Sequence, residues 1–250
     1  WSWSRGLGDV YKRQVREGGL NPSGLLRTKL NLFSNIRPAK SFKGTKCILD
    51  KIDLVIVREN TEGFYADRNM FSGNGELEIE EGTGISIRKI TRKASEKIAK
   101  RGFEIAKQMN KNKKINVHAI HKANVLRLTD GIFLKACRKI SKHYPEIEYH
   151  ERLVDAATAH MVRKPEQFDV LITTNMFGDI LSDLASELSG SLGLSGSLNV
   201  GDKIPMAQAQ HGAAIDIMNK GIANPISLIF SVAMLLKWLG KQKCQKDYIK

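Results

Sequence analysis

The chain has 250 residues, of which 42% are hydrophobic and 26% are charged, and its formal net charge is +14. Apolar residues recur periodically along it, which excludes a disordered chain, and the length suffices for one large or two small cores. The longest nearly apolar run, residues 226–236, is about half of the ~20 residues that cross a bilayer, so we expect no membrane span. The cysteines Cys47, Cys137 and Cys244 are odd in number and far apart, which excludes a disulfide framework and a zinc knuckle. We expect a reducing compartment: the cytoplasm, or the mitochondrial matrix in a eukaryote.

Predicted strands and helices alternate along the first half of the chain. Residues 53–57 form a β-branched run that predicts a buried strand. Gly-rich residues 72–75, followed by the alternating pattern around residues 85–87, predict an antiparallel excursion. Apolar spacing then predicts a helix over residues 91–109 and a strand over residues 115–120.

The alternation continues in the second half. Thr129 is predicted to cap a helix whose buried face consists of Ile132, Phe133, Ala136, Cys137 and Ile140. A strand over residues 170–173 leads into a helix, residues 189–201 are predicted to be a Gly/Ser-rich loop, and Asn224-Pro225 predicts the start of the last helix. This order predicts an α/β layered fold without a Rossmann fingerprint, because no GxGxxG follows a strand.

Arg27, Arg37 and Arg58 each lie beside an apolar stretch. Guanidinium groups near strand ends can bind carboxylates bidentately, so this set would suit a di- or tricarboxylate. Taken alone, the arginines are better explained as surface or salt-bridge residues, since most charges lie in water.

Asp179 and Asp183 are four residues apart in a predicted helix, which places both carboxylates on one face. Oxygen ligands without His or Cys suit Mg²⁺ or Mn²⁺, and Asp155 could supply a third carboxylate. An isolated pair of this kind is better explained as a solvated acidic face.

Tyr65 and Lys122 are candidate proton-transfer groups, although one lysine among many carries little weight without context. His118 and His121 point to opposite faces of a strand, which excludes a metal pair. Residues 211–216 combine a His, small residues and Asp216, a set that can approach a flat ring and bind ribose hydroxyls, but a loop and a helix cap explain them equally well.

Six segments, taken together in their order along the chain, are more informative than any of these features alone. They read NLFSNIRPAK (31–40), DLVIVRENTEGFY (53–65), HKANVLRLTDGIF (121–133), VDAATAHMV (154–162), TTNMFGDILSDLASELSGSLGL (173–194) and HGAAIDIMNKGIANP (211–225). Together they resemble the isocitrate/isopropylmalate dehydrogenase family of decarboxylating 3-substituted-malate dehydrogenases, over about residues 19–240. Each segment is unspecific alone, whereas six in order are not.

The resemblance implies a two-domain α/β fold that is not a Rossmann fold, and a homodimer with active sites shared between subunits. Residues 34–189 would form the smaller substrate, metal and dimer domain, and residues 15–33 with 190–250 part of the larger cofactor domain. The family's first strand, its GDGIGP-type loop and its C-terminal helices have no counterpart, so we expect a fold truncated at both ends. Residues 1–14 follow no helical or strand period and are expected to be foreign to the native protein.

By position, the resemblance implies that Arg27, Arg37 and Arg58 bind the substrate carboxylates. It implies that Asp179 and Asp183, with Asp155 of the partner subunit, hold Mg²⁺ or Mn²⁺. Tyr65 and the partner's Lys122 would be the acid/base pair. The dinucleotide would contact Asn124, His211, Gly212, Ala213, Asp216 and Asn224.

Cofactor and substrate preferences follow from a few positions. The carboxylate of Asp216 would accept hydrogen bonds from a ribose 2′-hydroxyl and repel a 2′-phosphate, which favours NAD over NADP. Ser23 and Gly24 stand where isopropylmalate enzymes have apolar residues, which favours a substrate with a polar substituent. We therefore expect isocitrate or homoisocitrate as the substrate. Isopropylmalate and tartrate remain alternatives. Ile215 and Gln208 depart from the family's usual Pro and acidic residue, and both bear on cofactor affinity.

Two other classes of function compete. A non-catalytic regulatory subunit is disfavoured because Tyr65, Lys122 and the acidic residues are retained. A nucleic-acid binder is suggested by the charge alone, but aromatic residues are only 7% and no binding motif is present. We therefore expect a small hydroxy di- or tricarboxylate as the partner, with neither nucleic acid nor membrane.

Overall fold

The structure is a computed structural model that describes residues 22–65, 75–109, 113–212 and 217–240. The predictions for residues 1–14 and for Ala213, Ile215 and Asp216 lie outside the described residues.

Nine strands are described, and all but two belong to one sheet. They are β1 (Ser34–Lys40), β2 (Asp53–Glu59), β3 (Glu76–Glu80), β4 (Thr83–Ser86), β5 (Asn116–His121), β6 (Glu148–Leu153), β7 (Val170–Thr173), β8 (Leu198–Val200) and β9 (Pro205–Ala207). The sheet has the order β6-β5-β7-β2-β1-β8-β9, and β3 and β4 form a separate hairpin.

The strands β6, β5, β7 and β2 run parallel to one another, whereas β1 is antiparallel to both β2 and β8, and β8 is antiparallel to β9. All of β7 and most of β2 are buried, as strands covered by helices on both faces require. Because parallel strands share one direction, β6, β5, β7 and β2 end at the same edge of the sheet, which we call the carboxyl edge. Ligands of open α/β sheets bind at such an edge.

Helices cover both faces of the sheet. They are α1 (Pro22–Lys29), α2 (Arg92–Gln108), α3 (Thr129–Ser141), α4 (Val154–Arg163), α5 (Asn175–Ser189) and α6 (Ile226–Trp238). One core cluster joins Val57 and Ile172 to the apolar sides of α2 and α3, and a second joins Ile56 and Leu171 to α4 and α5. Adjacent strand residues thus enter opposite layers, because side chains alternate along a strand. The predicted α/β layered fold is confirmed.

Most of the predicted elements are present, and two predictions are wrong. Thr129 is the first residue of α3 and not its cap, a position that Leu128 occupies without a side-chain hydrogen bond. The Thr129 hydroxyl instead accepts from Arg88 Nη1 at 2.6 Å. Residues 189–201 are not only a loop, since they contain β8, which is held by pairing with β1.

The last helix begins close to its predicted start. The Asn224 Oδ1 accepts the Ile226 N–H at 3.0 Å, and α6 begins at Ile226, just beyond Pro225. Strands β8 and β9 continue the sheet beyond residue 189, and the expected division at 189/190 stays a prediction. None of the helices in the described ranges is long and apolar enough to cross a membrane.

Candidate active site

Two groups of polar side chains lie at the carboxyl edge. The first, which we call the carboxylate–arginine cluster, consists of Arg37, Arg58, Tyr65, Asp179 and Asp183. The second, which we call the lysine–aspartate pair, consists of Lys122, directly after β5, and Asp155, in the first turn of α4 after β6.

Arg58 joins the end of β2 to the start of α5. Its Nε and Nη2 lie 3.0 and 2.7 Å from Asn175 Oδ1, and its Nη1 is paired with Asp179 Oδ1. Asn175 is available because α5 begins directly after β7, which is the neighbour of β2 in the sheet. The side chain of Arg58 is only 3% exposed, so its charge depends on this carboxylate for compensation.

Strand register places Arg37 beside Arg58. Asn35 in β1 lies opposite Arg58 in β2, and Arg37 follows two residues later on the same face. Arg37 Nη1 lies 3.2 Å from Asp179 Oδ1 and 3.3 Å from Asp183 Oδ1. The helical spacing of four therefore brings both carboxylates to one point, as predicted.

The two halves of the cluster differ in exposure. The arginine side chains are 8% and 3% exposed, whereas Asp179 and Asp183 are 37% and 51% exposed. Partial burial raises the pKa of Asp183, against the hydrogen bond from Gln210 and the charge of Arg37. The carboxylates of Asp179 and Asp183 thus face solvent, and the buried guanidinium groups contact them from the side of the protein interior.

Tyr65 completes this cluster from the segment that follows β2. Its hydroxyl donates to Asp179 Oδ2 at 3.2 Å, and the Arg58 guanidinium lies 5.8 Å from the centre of its ring. The phenol is thereby held next to the carboxylates.

Arg27 lies in another group, centred on Gln208. The amide oxygen of Gln208 accepts from Ser23 Oγ and Arg27 Nη2, each at 3.0 Å. Asn199 Nδ2 lies 3.4 Å from the same oxygen. The family resemblance predicts an acidic side chain at position 208. The neutral amide of Gln208 lies there instead, beside Arg27.

Gln210 connects the segment after β9 to the carboxylate–arginine cluster. Its Nε2 lies 3.3 Å from Asp183 Oδ1 and 2.9 Å from Ser186 Oγ. Sequence patterns did not reveal this contact, nor the contacts of Asn175 and of Ser182, whose Oγ accepts from Arg37 Nη1 at 2.6 Å. A polar residue directly after a buried strand is a signal that identifies Asn175, whereas no local pattern identifies Gln210.

The lysine–aspartate pair joins Lys122 Nζ to Asp155 Oδ1 at 2.8 Å, with side chains 26% and 62% exposed. The hydrogen bond from Lys122 lowers the pKa of Asp155. Within the described ranges of a single chain, no three His, Cys, Asp or Glu residues form a group that could hold a metal ion. In one chain, Asp155 therefore lies with Lys122 and not with Asp179 and Asp183.

The described positions predicted to contact the dinucleotide lie in exposed or half-buried turns. Asn124 is exposed after β5, and Asn224 is exposed at the start of α6. The His211 Nδ1 lies 3.0 Å from the Gly212 carbonyl oxygen, and a Cβ on Gly212 would meet no heavy atom within 4 Å. Ala213 and Asp216, which follow, lie outside the described residues.

Comparisons with known proteins identify the family. The family model for isocitrate/isopropylmalate dehydrogenase matches residues 8–248. The chain is 46% identical to a 3-isopropylmalate dehydrogenase of Archaeoglobus fulgidus, with 86% of the chain and 63% of that protein covered. It is 44% identical to a homoisocitrate dehydrogenase of Methanocaldococcus jannaschii, with 89% and 64% covered. It is 43% identical to catalytic subunit 5 of the mitochondrial NAD isocitrate dehydrogenase of Arabidopsis thaliana, with 94% and 60% covered.

A solved structure agrees with the sequence comparisons. The crystal structure of isocitrate dehydrogenase from Methylococcus capsulatus superposes with a TM-score of 0.83 at 43% identity, covering 91% of this chain and 66% of that one. The chain spans 60–64% of the length of the three relatives named above. On these matches and on the conserved order of elements, the chain belongs to the isocitrate/isopropylmalate dehydrogenase family.

Proposed function

We propose that the protein catalyses the oxidative decarboxylation of a 3-substituted malate with NAD and a divalent metal ion, and that its substrate is isocitrate or homoisocitrate. The observation that carries this proposal is the convergence of two buried arginines and one tyrosine on Asp179 and Asp183 at the carboxyl edge. Such a site combines carboxylate recognition, oxygen ligands for a cation and a proton donor.

The donor chemistry of the site fits Mg²⁺ or Mn²⁺. Both Asp179 Oδ1 and Asp183 Oδ1 lie within 3.3 Å of one arginine nitrogen, and both side chains are more than one third exposed. In a two-fold dimer, Asp155 of the partner subunit would add the third carboxylate. When bound, the cation supplies Lewis-acid stabilisation of negative charge on the substrate oxygens.

The turns around Gly212 and Asn224 fit a dinucleotide, because they are exposed and the space beside Gly212 is open. The sequence favours NAD over NADP through the carboxylate of Asp216. When bound, NAD supplies the hydride acceptor.

The side chains of this chain provide binding and proton transfer. Arg37 and Arg58 bind and orient the substrate carboxylates through their buried, fixed guanidinium groups. The partner's Lys122, oriented by its ion pair with Asp155, takes the proton of the substrate hydroxyl. Tyr65 donates a proton to the carbon that loses carbon dioxide.

The surroundings of Arg27 support a polar substrate substituent. Ser23 and Gln208 present a hydroxyl and an amide there, and the neighbouring Gly24 adds no apolar side chain. An isopropyl group would gain little from these polar neighbours, whereas a carboxylate could accept hydrogen bonds from the Ser23 hydroxyl and the Arg27 guanidinium. Isopropylmalate is the second candidate, because relatives up to 46% identical are named for that substrate.

A substrate screen tests the proposal. NADH formation by the full-length protein with Mn²⁺ is measured against isocitrate, homoisocitrate, isopropylmalate and tartrate, and we expect the highest kcat/KM with isocitrate or homoisocitrate. Preference for isopropylmalate would overturn the choice of substrate, and absence of turnover with all four would overturn the proposed activity.

Two variants test the assigned roles. Lys122→Ala removes the general base and is expected to lower kcat by roughly 10²–10⁴-fold. Asp179→Asn removes a metal ligand and should abolish turnover. The matched control is Lys139→Ala, which removes an exposed lysine paired with Glu96 at 2.9 Å on the outside of α3. Near-normal turnover of Lys122→Ala would contradict its role.

A further inference from the structure

A buried ion pair lies behind Lys122 and has no part in the mechanism above. Arg88 Nη1 and Asp130 Oδ1 are 2.6 Å apart, and their side chains are 7% and 0% exposed. Arg88 lies between β4 and α2, and Asp130 lies in the first turn of α3. A buried ion pair adds little net stability because both charges lose hydration, so stability alone does not account for it.

The second oxygen of Asp130 contacts the backbone of Lys122. Asp130 Oδ2 accepts the Lys122 N–H at 2.5 Å. On the other side, the Lys122 carbonyl oxygen accepts the N–H groups of Val125 and Leu126 at 3.0 and 2.8 Å. The backbone of Lys122 is therefore held at both its donor and its acceptor, which fixes where the side chain starts.

Arg88 extends these contacts to the segments that carry the carboxylate–arginine cluster. Its Nη2 donates to Thr174 Oγ1 at 3.2 Å, and Thr174 directly precedes α5, the helix that carries Asp179 and Asp183. Its guanidinium also lies 5.9 Å from the ring centre of Phe64, the residue before Tyr65. One buried guanidinium thus contacts the segments that carry the acid and the metal ligands of one site and, through Asp130, the segment whose lysine would serve the partner's site.

We propose that Arg88 and Asp130 are positioning residues that hold the backbone of Lys122 in a fixed place relative to α5. The proposal rests on the proposed function, in which Lys122 takes a proton from the substrate. Asp130 contacts both Arg88 and the Lys122 N–H, and Arg88 contacts Thr174 directly before α5. These contacts fix where the lysine side chain starts relative to α5. Misplacement of a catalytic group by about 1 Å can cost about 100-fold in rate.

The test is Asp130→Asn, which keeps the size of the side chain and removes its charge. We expect kcat to fall on the order of 100-fold with KM changed less than about twofold, because substrate binding is left intact. Amide hydrogen exchange at Lys122, which needs no activity, should become faster in the variant, since its N–H loses the charged acceptor.

The chain offers a closely matched control. Asp169 is 1% exposed, accepts the Asn116 N–H at 2.9 Å and pairs with Lys113 at 3.1 Å, so it makes the same two kinds of contact at the opposite end of β5. Asp169→Asn should disturb a buried carboxylate equally and leave kcat and exchange at Lys122 unchanged.

The outcomes separate this inference from the proposed function. Loss of kcat and faster exchange in Asp130→Asn alone supports the positioning role. Equal losses in both variants, or near-normal kcat and exchange in Asp130→Asn, overturn it. If the unaltered protein turns over none of the four substrates, the proposed function fails, and exchange at Lys122 still decides whether Asp130 holds that backbone.

Discussion

Arg58 illustrates why a lysine would not replace an arginine in the carboxylate–arginine cluster. Its guanidinium donates to Asn175 through two nitrogens and to Asp179 through a third. An ammonium group has no planar fork and could not keep this geometry from a buried position. The arginine therefore fixes the helix that bears the carboxylates as well as supplying charge.

His118 predicts how the stability of the protein depends on pH. It is 2% exposed, stacked on His150 at 4.8 Å between ring centres, with Phe168 at its edge. Burial, helped by the charges of His150 and Arg152 and opposed by Asp169, lowers the pKa of His118 from 6.5 to about 3. Between these values the unfolded chain binds a proton that the folded chain does not, so stability falls as pH drops through this range.

The substitution His118→Phe keeps an aromatic ring and removes the titrating group. Below pH 6.5, the free energy of unfolding of the unaltered protein should fall relative to that of the variant, by at most about 1.4 kcal/mol per pH unit. Urea unfolding measured from about pH 4 to about pH 8 reports this difference. Parallel pH profiles for the two proteins would contradict the prediction.

At the scale of elements, the close approach of α5 to the sheet depends on Gly178. A Cβ at this position would contact Thr173 Oγ1 and would lie 2.6 Å from Arg58 Cγ. Gly178→Ala should therefore displace Arg58, lower the free energy of unfolding by about 1–3 kcal/mol and raise KM for the substrate. Chemical denaturation and steady-state kinetics measure the two effects.

Gly131 in α3 is the matched control, because a Cβ there would meet no heavy atom within 4 Å. Gly131→Ala should stabilise the helix by up to about 1 kcal/mol, since Ala has the higher helix propensity. If both substitutions had the same effect, close packing of α5 would not be the cause.

Sequence patterns predicted the elements whose own residues determine their structure. The apolar runs of β2 and β7 and the periodic apolar face of α2 are local signals, and all three elements are present. In contrast, β8 has only three residues and forms because β1 offers a partner, which no local pattern reveals. Thr129 misled the prediction because its hydroxyl is used by Arg88.

At the scale of the whole molecule, the proposed dimer with shared sites can be tested on the two groups at the carboxyl edge. We consider the case in which Lys122 and Asp155 serve the partner's site. A chain with Lys122→Ala then keeps an intact carboxylate–arginine cluster, and a chain with Asp179→Asn keeps an intact Lys122. A mixed dimer of these two inactive variants would contain one intact site.

Unfolding the two variants together and refolding them should restore about a quarter of the normal activity, because half of the dimers are mixed and each has one working site of two. Each variant refolded alone serves as the control. Recovery of no activity in the mixture would show that Lys122 and Asp179 act within one chain.

The site was less predictable than the fold, for a physical reason. The sequence indicates which residue types can bind carboxylates and metal ions, but their meeting depends on strand order and register. Arg37 reaches Asp179 and Asp183 because β1 pairs with β2 in one particular register, and Gln210 reaches Asp183 across the chain from beyond β9. The resemblance to a family placed Arg37, Asp179 and Asp183 in one site, which composition and periodicity do not do, but it did not reveal Gln210.

The pairing of β1 with β2 limits where the chain can change in length. Asn35 faces Arg58 across the two strands, and side chains alternate sides with every residue. Inserting or deleting one amino acid within either strand would turn an arginine toward the opposite layer of helices. In the connection between the strands, residues 43–48 are exposed or half-buried, so we expect growth or shortening of the polypeptide to be tolerated there and not within the strands.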